Sequence, residues 1–491
     1  MNKDFHTPGS KKEMPSGTSD RAKEPTEGKC NNKEQETKTE TKTETKTKTK
    51  IEKEEQSLPK NPNRKQYPTP EKGHKIERLK KSLEARLQVY LEHRKKALRQ
   101  NDVIFSEPLH TEQQKQVVLV RGGIDVWFLV IVILLLSFGA VMSYSASSVF
   151  AANRYNDSAY FFKRYILFAT VSIIASVPFV LFMTPKRWKQ CGVIIYGVAV
   201  ILLLLVLVIG RAGGGAQRWL QVGPITVQPS EIAKMAVVMM LALYMSKHEK
   251  EITSRHQFGG SFIHGVLVPG GLIAVICVLV ALEKHISGLM IIGMIGIAVM
   301  FMGGTHGKWI GLIIGVIALS GCGLVLVSEY AQARVNTWIN IDTVDPRGEA
   351  WQTLQGLYAI GSGGMFGHGL GNSRQKYGYV SQPQNDFIFP IICEELGFFG
   401  ALLVVGLFVF LVWRGFKIAA HAPNKYCSLV VYGLVFKTAL QAALNIAVVT
   451  NSMPNTGVAL PFFSSGGSAL AIQIFEMAII LSISRYSTQK R

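Results

Sequence analysis

After residue 121 the chain passes through ten apolar stretches near the length that crosses a lipid bilayer, and no other feature restricts its fold as strongly. They cover residues 126–143, 165–183, 191–210, 232–245, 262–282, 286–302, 309–327, 387–413, 426–449 and 469–483. A bilayer core takes about 20 apolar residues per helix. Several stretches are shorter, so their ends must extend into flanking polar residues. Backbone groups in hydrocarbon need partners within the protein, and the period-two alternation of a β-barrel is missing, so the stretches are expected to be helices. The expectation is an all-α polytopic integral membrane protein of about ten transmembrane helices. Composition fits only when read in parts: 48% hydrophobic and 18% charged residues average a polar leader with a membrane region. This excludes one soluble domain, a collagen-like chain and a disulfide-rich module. The six cysteines form no CxxC pair and sit mostly in apolar runs, as small buried hydrophobes do, so no zinc or redox site is expected.

Residues 1–75 read as a disordered Lys/Glu/Thr-rich tail; 37–50 have nothing apolar to bury. No export signal precedes the first span. Residues 76–121 hold a basic amphipathic helix and a linker. In 76–98, Ile76, Leu79, Leu83, Leu87, Tyr90 and Leu91 recur at helical spacing among Arg and Lys, which suits an anionic leaflet or a partner equally well. The basic residues lack interleaved aromatics, so nucleic acid is not an expected partner. Residues 122–486 form the membrane domain and 487–491 a cytoplasmic C-terminus. The net charge of +20 divides into +9 through Arg121 (28 basic, 19 acidic) and +11 beyond it. Lys and Arg at 186, 187, 189, 247, 250, 255, 414, 417 and 425 mark inner loops. Both termini then lie in the cytoplasm, and residues 328–386 form a large outer loop between spans seven and eight. Loops of that length are usually functional or disordered; this one carries Trp338, Trp351, Tyr358, Tyr377 and Tyr379, and 354–360 suggest a short interfacial or re-entrant helix.

Five clusters carry ionisable or glycine-rich chemistry. The first runs from Gly214 through Arg218 to Gln228-Pro229-Ser230-Glu231 and Lys234. Glu231 and Lys234 share a helix face, and Ser230 is placed to cap it. The second is Arg334, then Asp342-Thr343-Val344-Asp345-Pro346-Arg347-Gly348, then Gln352. Asp345 lies in an Asp-Pro-x-Gly turn, either a plain turn or a carboxylate that accepts a proton or holds a divalent cation. The third is the glycine run 361–373 followed by Arg374 and Lys376, a backbone able to approach phosphate but without the spacing of a nucleotide loop. The fourth is Asn385-Asp386-Phe387 followed by Glu394-Glu395; carboxylates in a membrane helix should face the bundle interior. The fifth is Pro454-Asn455-Thr456-Gly457 with Leu460-Pro461-Phe462-Phe463-Ser464-Ser465-Gly466-Gly467-Ser468, an irregular backbone that must pack on protein or line a cavity.

These clusters, in this order on ten spans, resemble the shape, elongation, division and sporulation family of bacterial peptidoglycan polymerases, the FtsW/RodA/SpoVE proteins, over about 122–486. Gly371-Asn372-Ser373, Gln375-Lys376 and Pro383-Gln384 resemble the FtsW and SpoVE branch more than RodA. The resemblance implies a glycosyltransferase that moves the growing glycan from undecaprenyl pyrophosphate onto the GlcNAc 4-hydroxyl of lipid II at the outer face. It implies Asp345 as the essential catalytic carboxylate. Arg218, Glu231, Lys234, Arg334, Gln352, Arg374, Lys376, Asp386, Glu395, Ser464, Gly466 and Gly467 become candidate substrate-binding residues. It allows a divalent cation, Mg or Mn, at Asp345, with no nucleotide, haem or zinc. The implied partners are a class B penicillin-binding transpeptidase, other divisome proteins and membrane lipids, in the bacterial cytoplasmic membrane at the division septum. Ala350-Trp351-Gln352, Asn385 and Ser465 depart from the family's usual Gly-Tyr-Gln, Thr and Tyr, which leaves every carboxylate in place. A flippase for the lipid-linked precursor, with Lys437 and Glu476 on a polar path, and a non-enzymatic division scaffold are the alternatives.

Overall fold

The structure is a computed structural model that describes residues 122–486 apart from 214–215, 224, 255–259, 342, 344, 346–347, 349, 381 and 465. The expected tail, the amphipathic helix at 76–98, Asp342 and the C-terminal five residues lie outside the described residues.

Nine helices among the described residues are long and apolar enough to cross a membrane. They are α1 (Val126–Tyr155), α2 (Tyr160–Phe182), α3 (Pro185–Ile209), α4 (Pro229–Lys247), α6 (Gly260–Leu282), α7 (Ile286–Gly303), α11 (Ile388–Ala420), α12 (Lys425–Val449) and α13 (Gly467–Ser484). The tenth expected span is α8 (Gly307–Val327). Leu312, Ile314, Val316, Leu319, Leu326 and Val327 on α8 are all exposed, which suits a helix at the bundle edge that faces lipid. The inner helices show the reverse. Ala233, Met239 and Leu241 of α4 and Val431, Leu434 and Val435 of α12 are fully buried.

Local chemistry sets the helix ends. The Asp125 carboxylate caps α1 by accepting from the Phe128 amide (3.0 Å) and also takes the Arg414 guanidinium of α11 at 2.9 and 3.0 Å. Thr184 caps α3, with Pro185 in its first turn, and Asn424 caps α12 by accepting from the Cys427 amide (2.9 Å). Ser230 does not cap α4 as expected. Pro229 already occupies the first turn, Gln228 is the cap position, and the Ser230 hydroxyl is buried with no hydrogen-bond partner among the described residues.

Two departures from an all-helical reading position the site. A small antiparallel sheet, β1 (Arg211–Gly213), β2 (Ala216–Val222) and β3 (Ile225–Val227), in the order β1-β2-β3, joins α3 to α4. Leu220 pairs with Val227 and Val222 with Ile225. The 328–386 segment carries α9 (Glu329–Ile339) and α10 (Trp351–Ser362), the second spanning the expected 354–360 helix; a short α5 (Glu249–Ile252) lies after α4.

The segment between α12 and α13 is irregular, as its prolines and glycines require. Its carbonyls find partners in the bundle: the Tyr165 hydroxyl donates to Phe462 O at 2.6 Å, and Asn445 Nδ2 donates to Val458 O at 2.7 Å. Gly139 on α1 leaves the space into which the Phe462 carbonyl presses, where any Cβ would collide with it.

Candidate active site

A polar cavity of about 250 Å³ opens where the sheet, α4, α7 and the 451–466 segment meet. The first cluster supplies Arg218, Trp219, Gln228, Glu231 and Lys234 to its wall. The fourth supplies Asn385 and Asp386, and the fifth Gly457, Val458, Ser464 and Gly466. Three sequence clusters spread between Arg218 and Gly466 therefore converge on one space.

Each wall is held from behind. Arg218 projects from β2 and its Nη2 donates to Lys284 O at 3.0 Å, while its Nε is buried with no hydrogen-bond partner among the described residues. Lys234 Nζ lies 2.6 Å from Glu231 Oε1, one helical turn away on α4. Asn445 of α12 donates both to Asp386 O (2.6 Å) and to Val458 O (2.7 Å), which pins the fourth cluster to the fifth. Burial raises the Asp386 carboxyl above its usual range. The wall thus presents guanidinium, ammonium, carboxyl and amide groups within one enclosure, a donor and acceptor set suited to a saccharide carrying a diphosphate.

Further wall residues were not anticipated from sequence. His285, Ser287 and Gly288 begin α7, and Gln441 lies on α12. Next to His285, Glu283 is buried, and neither carboxylate oxygen has a hydrogen-bond partner among the described residues. Burial pushes the Glu283 carboxyl up to about 7 against the pull of Arg218, and burial with the nearby Arg218 and Lys234 charges pushes His285 down to about 4. Lys284 between them has φ +56°, a left-handed conformation that a non-glycine residue rarely adopts. The signal available was an ionisable Glu-Lys-His triplet between two apolar spans.

Asp345 is exposed and does not line the cavity. Its carbonyl accepts from the Gly348 amide (3.0 Å), which closes the expected turn. That turn follows α9, and α9 is fastened to the cavity-lining segment: the Arg334 guanidinium donates to Asn455 O, and Trp338 Nε1 to Asn451 O at 3.0 Å. Arg334 is therefore a strut for the α9 segment and outside the cavity wall. Gln352 lies half-buried in the first turn of α10, away from the wall.

The third cluster and Glu395 are placed differently from the phosphate-binding expectation. Lys376 is buried with Glu395 at 3.2 Å and donates to Gly371 O at 2.5 Å. Glu395 also accepts from the Ser145 hydroxyl of α1 (2.6 and 2.8 Å) and the Ser373 amide (3.3 Å). Glu394 accepts from the Arg374 amide (2.8 Å), the Gln375 amide (3.4 Å) and the Ser373 hydroxyl (2.5 Å). The anion that this glycine-rich backbone embraces is thus the protein's own pair of carboxylates. Arg374 contributes its backbone there while its side chain is exposed. Gly397 lets α11 break and admit the loop: its φ is +68°, and a Cβ would lie against the backbone of Met365 and Gly367. Gly467 likewise serves packing, since a Cβ would meet the Phe168 ring at 2.6 Å. Lys437 and Glu476, the residues of the transport alternative, are buried and pair at 2.7 Å.

The profile of the FtsW/RodA/SpoVE family, described as cell cycle protein, matches residues 126–489. Stage V sporulation protein E of Bacillus subtilis is 38% identical over 367 residues, covering 74% of this chain and 97% of that one. A protein of Trichlorobacter lovleyi named "Probable peptidoglycan glycosyltransferase FtsW" is 36% identical over 363 residues, covering 73% of this chain and 93% of the relative. Among solved structures, a chain from a peptidoglycan synthase complex that coordinates polymerisation and crosslinking superposes with a TM-score of 0.60 at 25% identity, covering 75% of this chain and 99% of that chain.

Proposed function

Since the chain belongs to the FtsW/RodA/SpoVE family of multi-pass membrane proteins and is a peptidoglycan glycosyltransferase of that family, we propose that it lengthens glycan strands with lipid II as acceptor. The observation that carries this reading is the convergence of Arg218, Glu231, Lys234, Asp386 and Ser464 on one polar cavity. Charged groups are costly at membrane depth and are retained there for a substrate path or for structure.

In this reading the growing glycan is the donor, linked through its reducing end to undecaprenyl pyrophosphate. The 4-hydroxyl oxygen of the GlcNAc of lipid II attacks the donor's anomeric carbon. The bond to the pyrophosphate oxygen breaks, and undecaprenyl pyrophosphate leaves with the electron pair. The hydroxyl proton passes to Asp345, whose turn is tethered through α9 to the segment that lines the cavity. Arg218 and Lys234 supply positive charge for the diphosphate. The prenyl tails remain in lipid, since only the reacting part of such a substrate can enter about 250 Å³.

Among the described residues no three metal-ligating side chains converge. Asp345 would bind Mg or Mn as one ligand beside substrate phosphates and water, as Mg²⁺ is commonly bound. A cation so held would add charge at the diphosphate, and no step above depends on it.

The same reading puts both termini in the cytoplasm and the α9–α10 segment on the outer face. It pairs the protein with a class B penicillin-binding transpeptidase and places it at a septum, in division or sporulation. The transpeptidase is supported by the peptidoglycan synthase complex among the structural neighbours.

The test supplies lipid II to purified protein in detergent, where no bilayer stands between the substrate and either face. Glycan should form, and Asp345→Asn should lower the rate about 10²–10⁴-fold with unchanged thermal stability, the usual range for a lost general base. Full-length glycan from the Asn variant would remove Asp345 from its role. No glycan from the wild type would favour the flippase.

A further inference from the structure

Behind the cavity wall four charged side chains form one continuous chain into the bundle. Lys234 Nζ is 2.6 Å from Glu231 Oε1. Lys437 Nζ on α12 is 4.0 Å from the other Glu231 oxygen, and 2.7 and 2.9 Å from the two oxygens of Glu476 on α13. Lys437 also donates to Gln473 Oε1 (3.2 Å), and the Gln473 amide donates to the Thr438 hydroxyl (3.0 Å). Glu231 retains 13% exposure and lines the cavity with Lys234; Lys437 and Glu476, at 1% and 0%, lie behind it.

The inner pair is not explained by stability. Removing charges from water costs several kcal/mol per ion, and packed apolar residues commonly do as well. Its geometry suggests another use. A lysine closed into a one-to-one pair with a glutamate offers an anion little net charge. To meet a diphosphate, Lys234 must loosen its contact with Glu231, and that would leave a carboxylate uncompensated inside the bundle. Lys437 is already poised on that carboxylate's second oxygen. It can close on Glu231 as Lys234 turns to the ligand, while Glu476 holds it back in the empty site.

We propose that Lys437, held by Glu476, is a positioning residue for glycosyl transfer: a reserve counter-ion that lets Lys234 exchange Glu231 for the diphosphate of the lipid-linked substrate. This rests on the reading of the cavity as the lipid II site. Neither Lys437 nor Glu476 touches the cavity, so their effect passes through Glu231 and Lys234.

The experiment measures KM and kcat for lipid II with the full-length protein and three variants. The double variant K437M/E476M removes both charges and avoids a stranded carboxylate. It should fold, raise KM about tenfold, the scale of one charge-assisted contact, and change KM more than kcat. K437R should restore the wild-type KM. E476Q should leave KM unraised, because Lys437 is still present to take over Glu231. An unchanged KM in the double variant would reduce the pair to a structural staple. A KM raised equally by E476Q would assign the effect to packing. Absence of glycan from the wild type would instead refute the lipid II reading itself, which separates the two failures.

Discussion

Two buried polar regions of this bundle use the same residue types and end in opposite states. In the clasp around α11, all four oxygens of Glu394 and Glu395 accept hydrogen bonds from the chain, and Lys376 is shared between Glu395 and a loop carbonyl. Around the cavity, the Arg218 Nε, the His285 Nδ1, the Thr456 hydroxyl and both Glu283 oxygens are buried with no hydrogen-bond partner among the described residues. Buried polar groups are normally bonded, and leaving one unbonded costs about 1–3 kcal/mol. A region that satisfies its charges internally is architecture. A region that leaves donors and acceptors open offers them to water or to a ligand.

The sharpest way to break this comparison is to disturb the clasp. Glu395→Ala strands the Lys376 ammonium and unties Ser145 of α1 from the 371–376 loop. Removing one partner of a buried ion pair costs about 3–5 kcal/mol, so the variant should give little folded protein, seen as loss of a monodisperse peak in detergent. A stable but inactive Glu395→Ala would move Glu395 into the substrate site and erase the distinction.

On the cavity side the sign is reversed. Arg218 is half-buried and gives one bond to Lys284 O. Arg218→Ala should therefore leave the thermal midpoint nearly unchanged and raise KM for lipid II about tenfold, the worth of a charge-assisted contact. A variant that melts early with an unaltered KM would mean that Arg218 is a strut for the 283–285 turn.

The comparison also explains what the sequence could reveal. The spans were legible because hydrocarbon forbids unpaired backbone, so ten apolar stretches could only be helices. The first, fourth and fifth clusters were legible as a site because ionisable and glycine-rich residues at membrane helix ends have few other uses. The clasp was misread as a phosphate cradle. A glycine-rich backbone followed by Arg374 and Lys376 looks the same whether the anion is a ligand or the chain's own Glu394 and Glu395, and only tertiary contact tells them apart. Ser230 was misread as a cap because a proline one residue earlier shifts the helix start. The sheet at 211–227 escaped because β1 and β3 have three residues each and carry no periodicity, and β2 lies within the first cluster. Glu283 and His285 escaped because a connection so short reads as a boundary between two spans.

The finest test concerns that connection, where two titrations oppose each other. Glu283 is raised from an ordinary 4.5 to about 7, so the folded protein keeps a proton that the unfolded chain loses. Its contribution therefore falls as pH rises through that interval. His285 is lowered from 6.5 to about 4, so the unfolded chain holds a proton that the folded protein refuses, and its contribution rises with pH between those values. The two slopes overlap and cancel over most of the window. The wild-type melting temperature in detergent should thus be nearly flat between about pH 4.5 and 6.5, by proton linkage. Glu283→Gln should leave a midpoint that climbs with pH there, and His285→Gln one that declines toward pH 7. If both variants remain as flat as the wild type, the buried Glu283–His285 turn is not electrostatically isolated, and the cavity mouth belongs with the satisfied clasp.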